Sequence, residues 1–186
     1  MDERTFRTVL GHFGSGVVVV TGVDEAGPAG LTCQSFFALS LAPPLIALAP
    51  STGSRSWRRI ASSGAFAVNI LSAAQRRLCL TFGQGGAQDK FAATGWDPAP
   101  SGSPLIHGAL GWLDCRIEAV HPGGDHHLVV GRVEDLKARA GEPLFFYRGT
   151  YATVADGQTP RTMPAHPAWT AEDVWGPGLW QEGLDW

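Results

Sequence analysis

No apolar run in this chain goes far before a glycine or a proline interrupts it. The 24 glycines and 13 prolines among 186 residues sit between short hydrophobic stretches. That punctuation marks strands closed by turns, because proline has no N–H to give a helix or ladder and glycine weakens both. A helical bundle is therefore disfavoured and a β-rich fold favoured. A 44% hydrophobic content over this length supports one core and one domain. The net charge of -3 lacks the footprint needed for nucleic acid or an anionic membrane surface, so the partners should be small molecules or proteins.

The individual segments follow from the same reasoning. Phe6, Val9, Leu10 and Phe13 recur at helical spacing behind Asp2, predicting a short N-capped helix with that face on the core. Val17 to Val20 and Leu31 to Leu39, separated by the turn residues Asp24 to Pro28, read as a hairpin buried on both faces. Pro43-Pro44 precedes a strand at Leu45 to Leu48. Ser51-Thr52-Gly53-Ser54 opens a helix over Arg55 to Ala61, and a strand covers Ala65 to Leu71. Ser72 with Gln75 forms a capping box before a helix from Ala73 to Phe82. The polar, glycine-rich stretch 83–103 reads as a long loop. Leu113, Cys115, Ile117 and Ala119 alternate with Asp114, Arg116 and Glu118, the period of a half-buried antiparallel strand, and Leu128 to Leu136 and Leu144 to Val154 complete a set of about seven strands. Few, short helices and turn connections favour a closed antiparallel barrel over a doubly wound sheet.

Cys33, Cys79 and Cys115 stand far apart without a CxxC pair and read as buried free thiols. Residues 1–12 lack the apolar stretch of a signal peptide, and no run is long enough to span a bilayer, so a cytoplasmic location and no membrane partner are expected. Neither GxGxxG after a strand nor GxxxxGK[ST] occurs, so a nucleotide would need another cradle. One candidate is Ser51-Thr52-Gly53-Ser54, where hydroxyls and unpaired N–H groups at a helix start attract phosphate, with Arg55 adding charge. A second is the hydroxyl-bearing strand from Gly30, in which Thr32 and Ser35 could bind a flat polar ring. A metal set drawn from His121, Asp125, His126, His127 and Cys115 is disfavoured, since adjacent strand residues face opposite ways, and no metal is expected. Arg7, Arg58, Arg59, Arg76 and Arg77 read as solvated helix faces.

Residues Gly30-Leu31-Thr32-Cys33-Gln34-Ser35, followed by Ser40-Leu41-Ala42-Pro43-Pro44, resemble the signature of the flavin reductase-like family: a Gly-x-Thr start, a small or hydroxyl-bearing strand, then Ser-x-x-Pro-Pro. Further fragments follow in order: Phe66-Ala67-Val68-Asn69-Ile70-Leu71, Gln75, Phe82, Asp89-Lys90-Phe91, Gly124-Asp125-His126 and Tyr147-Arg148-Gly149-Thr150-Tyr151. The resemblance implies a mainly β, antiparallel FMN-binding split barrel with a few short peripheral helices over residues 1–155. It also implies a homodimer and an NAD(P)H:flavin oxidoreductase that passes a hydride from NADH or NADPH to FMN, with FAD as the alternative, and supplies reduced flavin to a flavin-dependent monooxygenase. From Ala155 onward the strand pattern dissolves into prolines and tryptophans, which reads as an extension over 156–186 outside the barrel.

Carried over by residue, the resemblance gives Thr32, Cys33, Gln34 and Ser35 to the flavin ring and ribityl chain. It gives Ser51, Thr52, Ser54, Lys90 and Phe91 to the phosphate side, and places Asp125 and His126 where nicotinamide enters, with His126 as the catalytic-site histidine oriented by Asp125. Cys33-Gln34 departs from the smaller pair usual at those positions. Hydride transfer needs no acid–base dyad, which agrees with the lack of a Ser-His-Asp or paired-carboxylate pattern. A non-enzymatic flavin- or haem-binding protein on the same barrel is the alternative reading, and a metal-dependent β-barrel enzyme a more distant one.

Overall fold

The computed structural model describes residues 2–84 and 90–152. The extension expected over 156–186, Asp89 of the Asp-Lys-Phe fragment and the end of the last expected strand lie outside the described residues. In chain order the elements are α1 (Glu3–Leu10), β1 (Ser15–Gly16), β2 (Val18–Asp24), β3 (Gly27–Cys33), β4 (Phe36–Leu41), β5 (Pro44–Leu48), α2 (Arg55–Ser62), β6 (Ala65–Ile70), a 3-10 turn (Ala73–Gln75), α3 (Arg76–Gly83), β7 (Trp96–Pro98), β8 (Pro104–Ile106), β9 (Gly111–Gly123), β10 (His126–Ala138), β11 (Phe145–Tyr147) and β12 (Thr150–Ala152).

The main sheet is antiparallel, with seven strands in the order β3-β2-β6-β9-β10-β5-β4. Its two edges, β3 and β4, are consecutive in the chain and joined only by Gln34 and Ser35. Six interstrand steps of about 4.8 Å would set the edges of a flat sheet roughly 29 Å apart. The three Cα steps from Cys33 to Phe36 reach at most about 11 Å. The sheet must therefore roll up until its edges meet at this corner, without ladder pairing between them, which is the split of a split barrel.

Burial along β2 shows what the roll encloses. Val18 and Val20 join Ile46, Leu48, Phe66, Val68, Cys115 and Val129 in one core cluster, to which α2 contributes Trp57 and Ile60. The alternate residues Val17 and Val19 join Leu71, Cys79, Phe82, Ile106 and Leu144 in a second cluster. Successive side chains point to opposite faces, so β2 is buried on both sides, as its continuous valine run predicts. Burial also pushes the Cys115 thiol up to about 12, helped by the negative charges of Asp114 and Glu134, which leaves it protonated and inert. All three cysteines are buried and free.

Several sequence expectations change in detail. The stretch 31–39 is two strands broken at the corner, not one, because Gln34 and Ser35 turn the chain from one sheet edge to the other. The loop expected over 83–103 contains β7, which pairs with β8. The strand expected from Leu144 onward is a hairpin, β11 with β12, reversed at Arg148 (φ 50°) and Gly149 (φ 82°), and β11 also pairs with β1. Asp2 caps α1 as expected, accepting from the Arg4 and Thr5 amides, yet the apolar face of α1 does not lie on the core: Val9 is 65% and Phe13 83% exposed. The helix forms for local reasons, its cap and the Glu3–Arg7 pair at 2.7 Å.

One buried polar cluster fastens β8 to the main sheet. The Asn69 amide nitrogen on β6 lies 3.1 Å from Thr21 Oγ1 and 3.2 Å from the carbonyls of Val19 and Pro104. Its Oδ1 accepts the Ile106 amide at 2.7 Å, and the Thr21 hydroxyl donates to Pro104 O at 2.6 Å. Asn69→Ala strands the buried Ile106 amide and takes a donor from the Val19 and Pro104 carbonyls, the second of which keeps the Thr21 hydroxyl, so urea unfolding should show a loss of about 1–3 kcal/mol. An unchanged unfolding midpoint would refute this role.

Candidate functional site

The barrel corner, the start of α2, the end of α3 and the tip of the β9–β10 hairpin enclose a cleft of about 880 Å³. Of the residues singled out from sequence, Thr32, Cys33, Gln34, Ser35, Ser51, Ser54, Lys90 and His126 line it. Thr52, Phe91 and Asp125 are not among its lining residues.

The corner wall is held by its own hydroxyls. Ser35 Oγ donates to Ala49 O at 3.0 Å and accepts the Ala49 amide at 3.2 Å, which ties the corner to the end of β5. The Cys33 sulfur lies 3.3 Å from the same oxygen. Thr32 Oγ1 donates to Cys79 O at 2.7 Å, anchoring α3 on β3. Gly30 serves the same contact: a Cβ there would lie 2.5 Å from the Phe82 ring. The Gly-x-Thr start is thus the seat of α3, and of the corner residues that line the cleft Gln34 and Ser35 are exposed.

At α2, Ser54 accepts the Trp57 amide at 3.1 Å as N-cap. The first-turn amides of Arg55 and Ser56 have no acceptor within the helix, and both residues line the cleft. The exposed Arg55 adds a positive charge beside them. Arg59, read from sequence as a solvated face residue, is instead half-buried: it forks onto Asp24 at 2.9 and 2.6 Å and donates to Gly27 O at 3.0 Å. That fork holds the Asp24 carboxyl below its ordinary range and fixes the β2–β3 turn against α2.

Lys90 is partly buried, and its Nζ donates to Phe82 O at 2.9 Å and Gly30 O at 3.3 Å. Desolvation lowers its ammonium pKa. Phe91 packs edge-on against Phe82 and Trp96, at 5.0 and 6.1 Å between ring centroids, so it braces the wall from behind.

Across the cleft the β9–β10 hairpin reverses through Gly124 and Asp125, with Gly124 at φ 75° supplying the left-handed backbone such a two-residue loop needs. His126 Nδ1 meets Asp125 Oδ1 at 2.7 Å, and this contact holds the exposed Asp125 carboxyl below its ordinary range. The hairpin tip is laced to the loop before α2: Ser51 bridges His126, the His127 amide donates to Pro50 O at 2.9 Å, and the Thr52 amide and hydroxyl both reach Asp125 O at 3.0 Å. Among the described residues no three His, Cys, Asp or Glu side chains form a metal-holding group.

Sequence reasoning missed Ala49, Ser56, Arg59, Gly83 and Gln84 as cleft residues. Gly83 and Gln84 arrive there only because α3 packs on β3, a contact between distant segments that no local spacing encodes. The glycine at 30 was its single trace.

The cleft suits a flavin in size and in chemistry: open helix-start amides and an arginine at one end for a phosphate, and an extended corner with backbone polar groups along the side for a ring. Comparison with known proteins agrees. The family described as flavin reductase like domain matches residues 10–155. The reductase subunit HsaB of a flavin-dependent monooxygenase from Rhodococcus jostii is 46% identical over 166 residues, covering 89% of this chain and 83% of that protein. The FMN reductase (NADH) SmoA of Agrobacterium fabrum is 37% identical over 150 residues, 81% of this chain and 85% of that one. Among solved structures, component B of a nitrilotriacetate monooxygenase from Mycobacterium thermoresistibile superposes with a TM-score of 0.80 at 48% identity, covering 83% of this chain and 87% of that one. The NADH:FAD oxidoreductase SgcE6 of Streptomyces globisporus, in complex with NAD and FAD fragments, gives a TM-score of 0.80 at 33% identity, covering 84% and 95%. With the split barrel, the cleft and these relatives in agreement, the chain belongs to the flavin reductase-like domain family and is an oxidoreductase of the flavin reductase class.

Proposed function

We propose that this chain carries a hydride from NADH or NADPH to FMN bound in the corner cleft, and that the reduced flavin serves a flavin-dependent monooxygenase. The observation that carries the reading is the convergence of the Thr32–Ser35 corner, the open start of α2 and His126 on one cleft. FAD is the alternative flavin. The partner is suggested by the names of the relatives HsaB and component B. A homodimer is suggested by apolar side chains left uncovered on β4, Phe37 and Leu41 among them. A cytoplasmic location is in keeping with this role.

The hydride chemistry is supplied by the bound flavin and nicotinamide. The chain's own residues bind, orient and shield. The amides of Arg55 and Ser56, with the Arg55 guanidinium, hold the flavin phosphate, and the Ser54 cap keeps those amides aligned by fixing the first turn. Backbone groups of Thr32 to Ser35 and the Gln34 side chain hold the ring edge. Lys90, with two of its three N–H groups committed to carbonyls, keeps the end of α3 against β3 and lends its charge to the flavin. His126, its ring held by Asp125, would hold and orient the nicotinamide in the cleft.

The direct test is oxidation of NADH and NADPH with FMN, FAD and riboflavin in turn. Flavin-dependent turnover is expected, and none with any pairing would overturn the reading. Arg55→Ala should weaken FMN relative to riboflavin by about 1.5–3 kcal/mol, the worth of a hydrogen bond to a charged group. Equal loss for both ligands in fluorescence titration would remove the phosphate from this end. His126→Ala should raise the KM for the reduced nicotinamide about fivefold or more, the size of one lost hydrogen bond. Its flavin affinity should stay near that of the parent, and a loss confined to flavin would reassign the residue.

A further inference from the structure

Thr52 sits between two cleft residues, Ser51 and Ser54, yet is not itself one of them. Its exposed side chain turns instead to the hairpin tip. The Thr52 hydroxyl and amide both donate to the Asp125 carbonyl, each at 3.0 Å. Asp125 is the residue whose carboxylate grips His126 Nδ1 at 2.7 Å, and His126 itself bridges Ser51. The backbone of the helix-start loop and the backbone of the histidine turn therefore share one carbonyl. Two donors converging on a single acceptor restrain the peptide plane between Asp125 and His126, from which both members of the pair are hung.

We infer that Thr52 is a positioning residue that couples the two halves of the cleft, so that a phosphate seated on the α2 start aligns the Asp125–His126 pair and tightens nicotinamide binding. The inference rests on the proposed seating of the flavin phosphate at Ser54–Arg55. The physical route is short. An anion drawing the amides of Arg55 and Ser56 toward itself orders the loop from Ser51 to Ser54. Thr52 passes that order to the Asp125 carbonyl, and His126 is held in the pose that receives the nicotinamide. By linkage the effect is reciprocal: bound nicotinamide should also tighten FMN more than it tightens riboflavin. Thr52 on this account needs no contact with either ligand.

The test compares the KM for the reduced nicotinamide with FMN and with riboflavin as acceptor, in the full-length protein and in Thr52→Val, Thr52→Ser and Arg55→Ala. In the parent the KM should be about fivefold lower with FMN, the low end of ordinary coupling between sites. Thr52→Val keeps the amide contact and the side-chain shape but loses the hydroxyl, and should bring the FMN-to-riboflavin ratio toward one. Thr52→Ser should restore it. A merely structural role would lower the melting temperature and raise both KM values together, leaving the ratio intact, and that result overturns the inference. A parent ratio of one overturns it as well. The two readings separate through Arg55→Ala: if it weakens FMN selectively while Thr52→Val leaves the ratio unchanged, the coupling fails and the phosphate seat stands. If it weakens FMN and riboflavin alike, the phosphate seat has failed, and the coupling with it.

Discussion

The architecture hangs on the corner at Gln34 and Ser35. Because so short a link joins the first and last strands of a seven-strand antiparallel sheet, the sheet has to curl, and the two edges come together without hydrogen-bonding to one another. A closed ladder would have buried that line of backbone in pairing. The split leaves it available, and the cleft forms along it, walled by α3 on the β3 side and by the start of α2 on the β5 side. Location of the site and closure of the fold are thus one geometric fact.

Keeping the split open and in register takes a second tier of contacts, and these are polar where the corner is concerned. Ser35 fastens the corner to Ala49, Thr32 fastens β3 to α3, and Lys90 clamps carbonyls from both. Behind them, Asn69 and Thr21 knit β8 to the barrel with every buried donor and acceptor matched, and the described residues contain no buried side-chain polar atom without a partner. Apolar packing supplies the bulk of the cohesion, and the polar contacts decide which of many apolar packings is adopted.

Much of this was legible in the chain itself. Period-two alternation along Leu113 to Ala119 located β9, the valine run located β2, and Ser54 announced α2 by the chemistry of its cap. The strand, the helix-start loop and the histidine turn each carry a local signature, and their meeting in space is the part that only the fold supplies. What escaped were features set by distant contacts. The apolar stripe of Phe6, Val9, Leu10 and Phe13 gave the helix correctly but not its surroundings, since a stripe says only that something should cover it. Arg59 looked like one more solvated arginine because its partner, Asp24, lies on another element. The break at Gln34 within an extended run carries no glycine or proline, so nothing local betrayed it. Thr52 shares its chemistry with its hydroxyl neighbours, and only the fold sends its side chain to a different hairpin.

The employment of the cleft's hydroxyls bears on how a chain of this kind changes over generations. Thr32, Ser35 and Ser54 each spend the hydroxyl on the protein's own backbone, so replacing any of them disturbs the frame from which the cavity is hung. Gln34, exposed on the cleft wall, can be exchanged without moving that frame. Drift should therefore accumulate at such positions, altering which small molecules fit, while the scaffold passes down unchanged. Gln34 is where such a division of labour leaves room: a cavity inherited as a shape, with its lining open to revision.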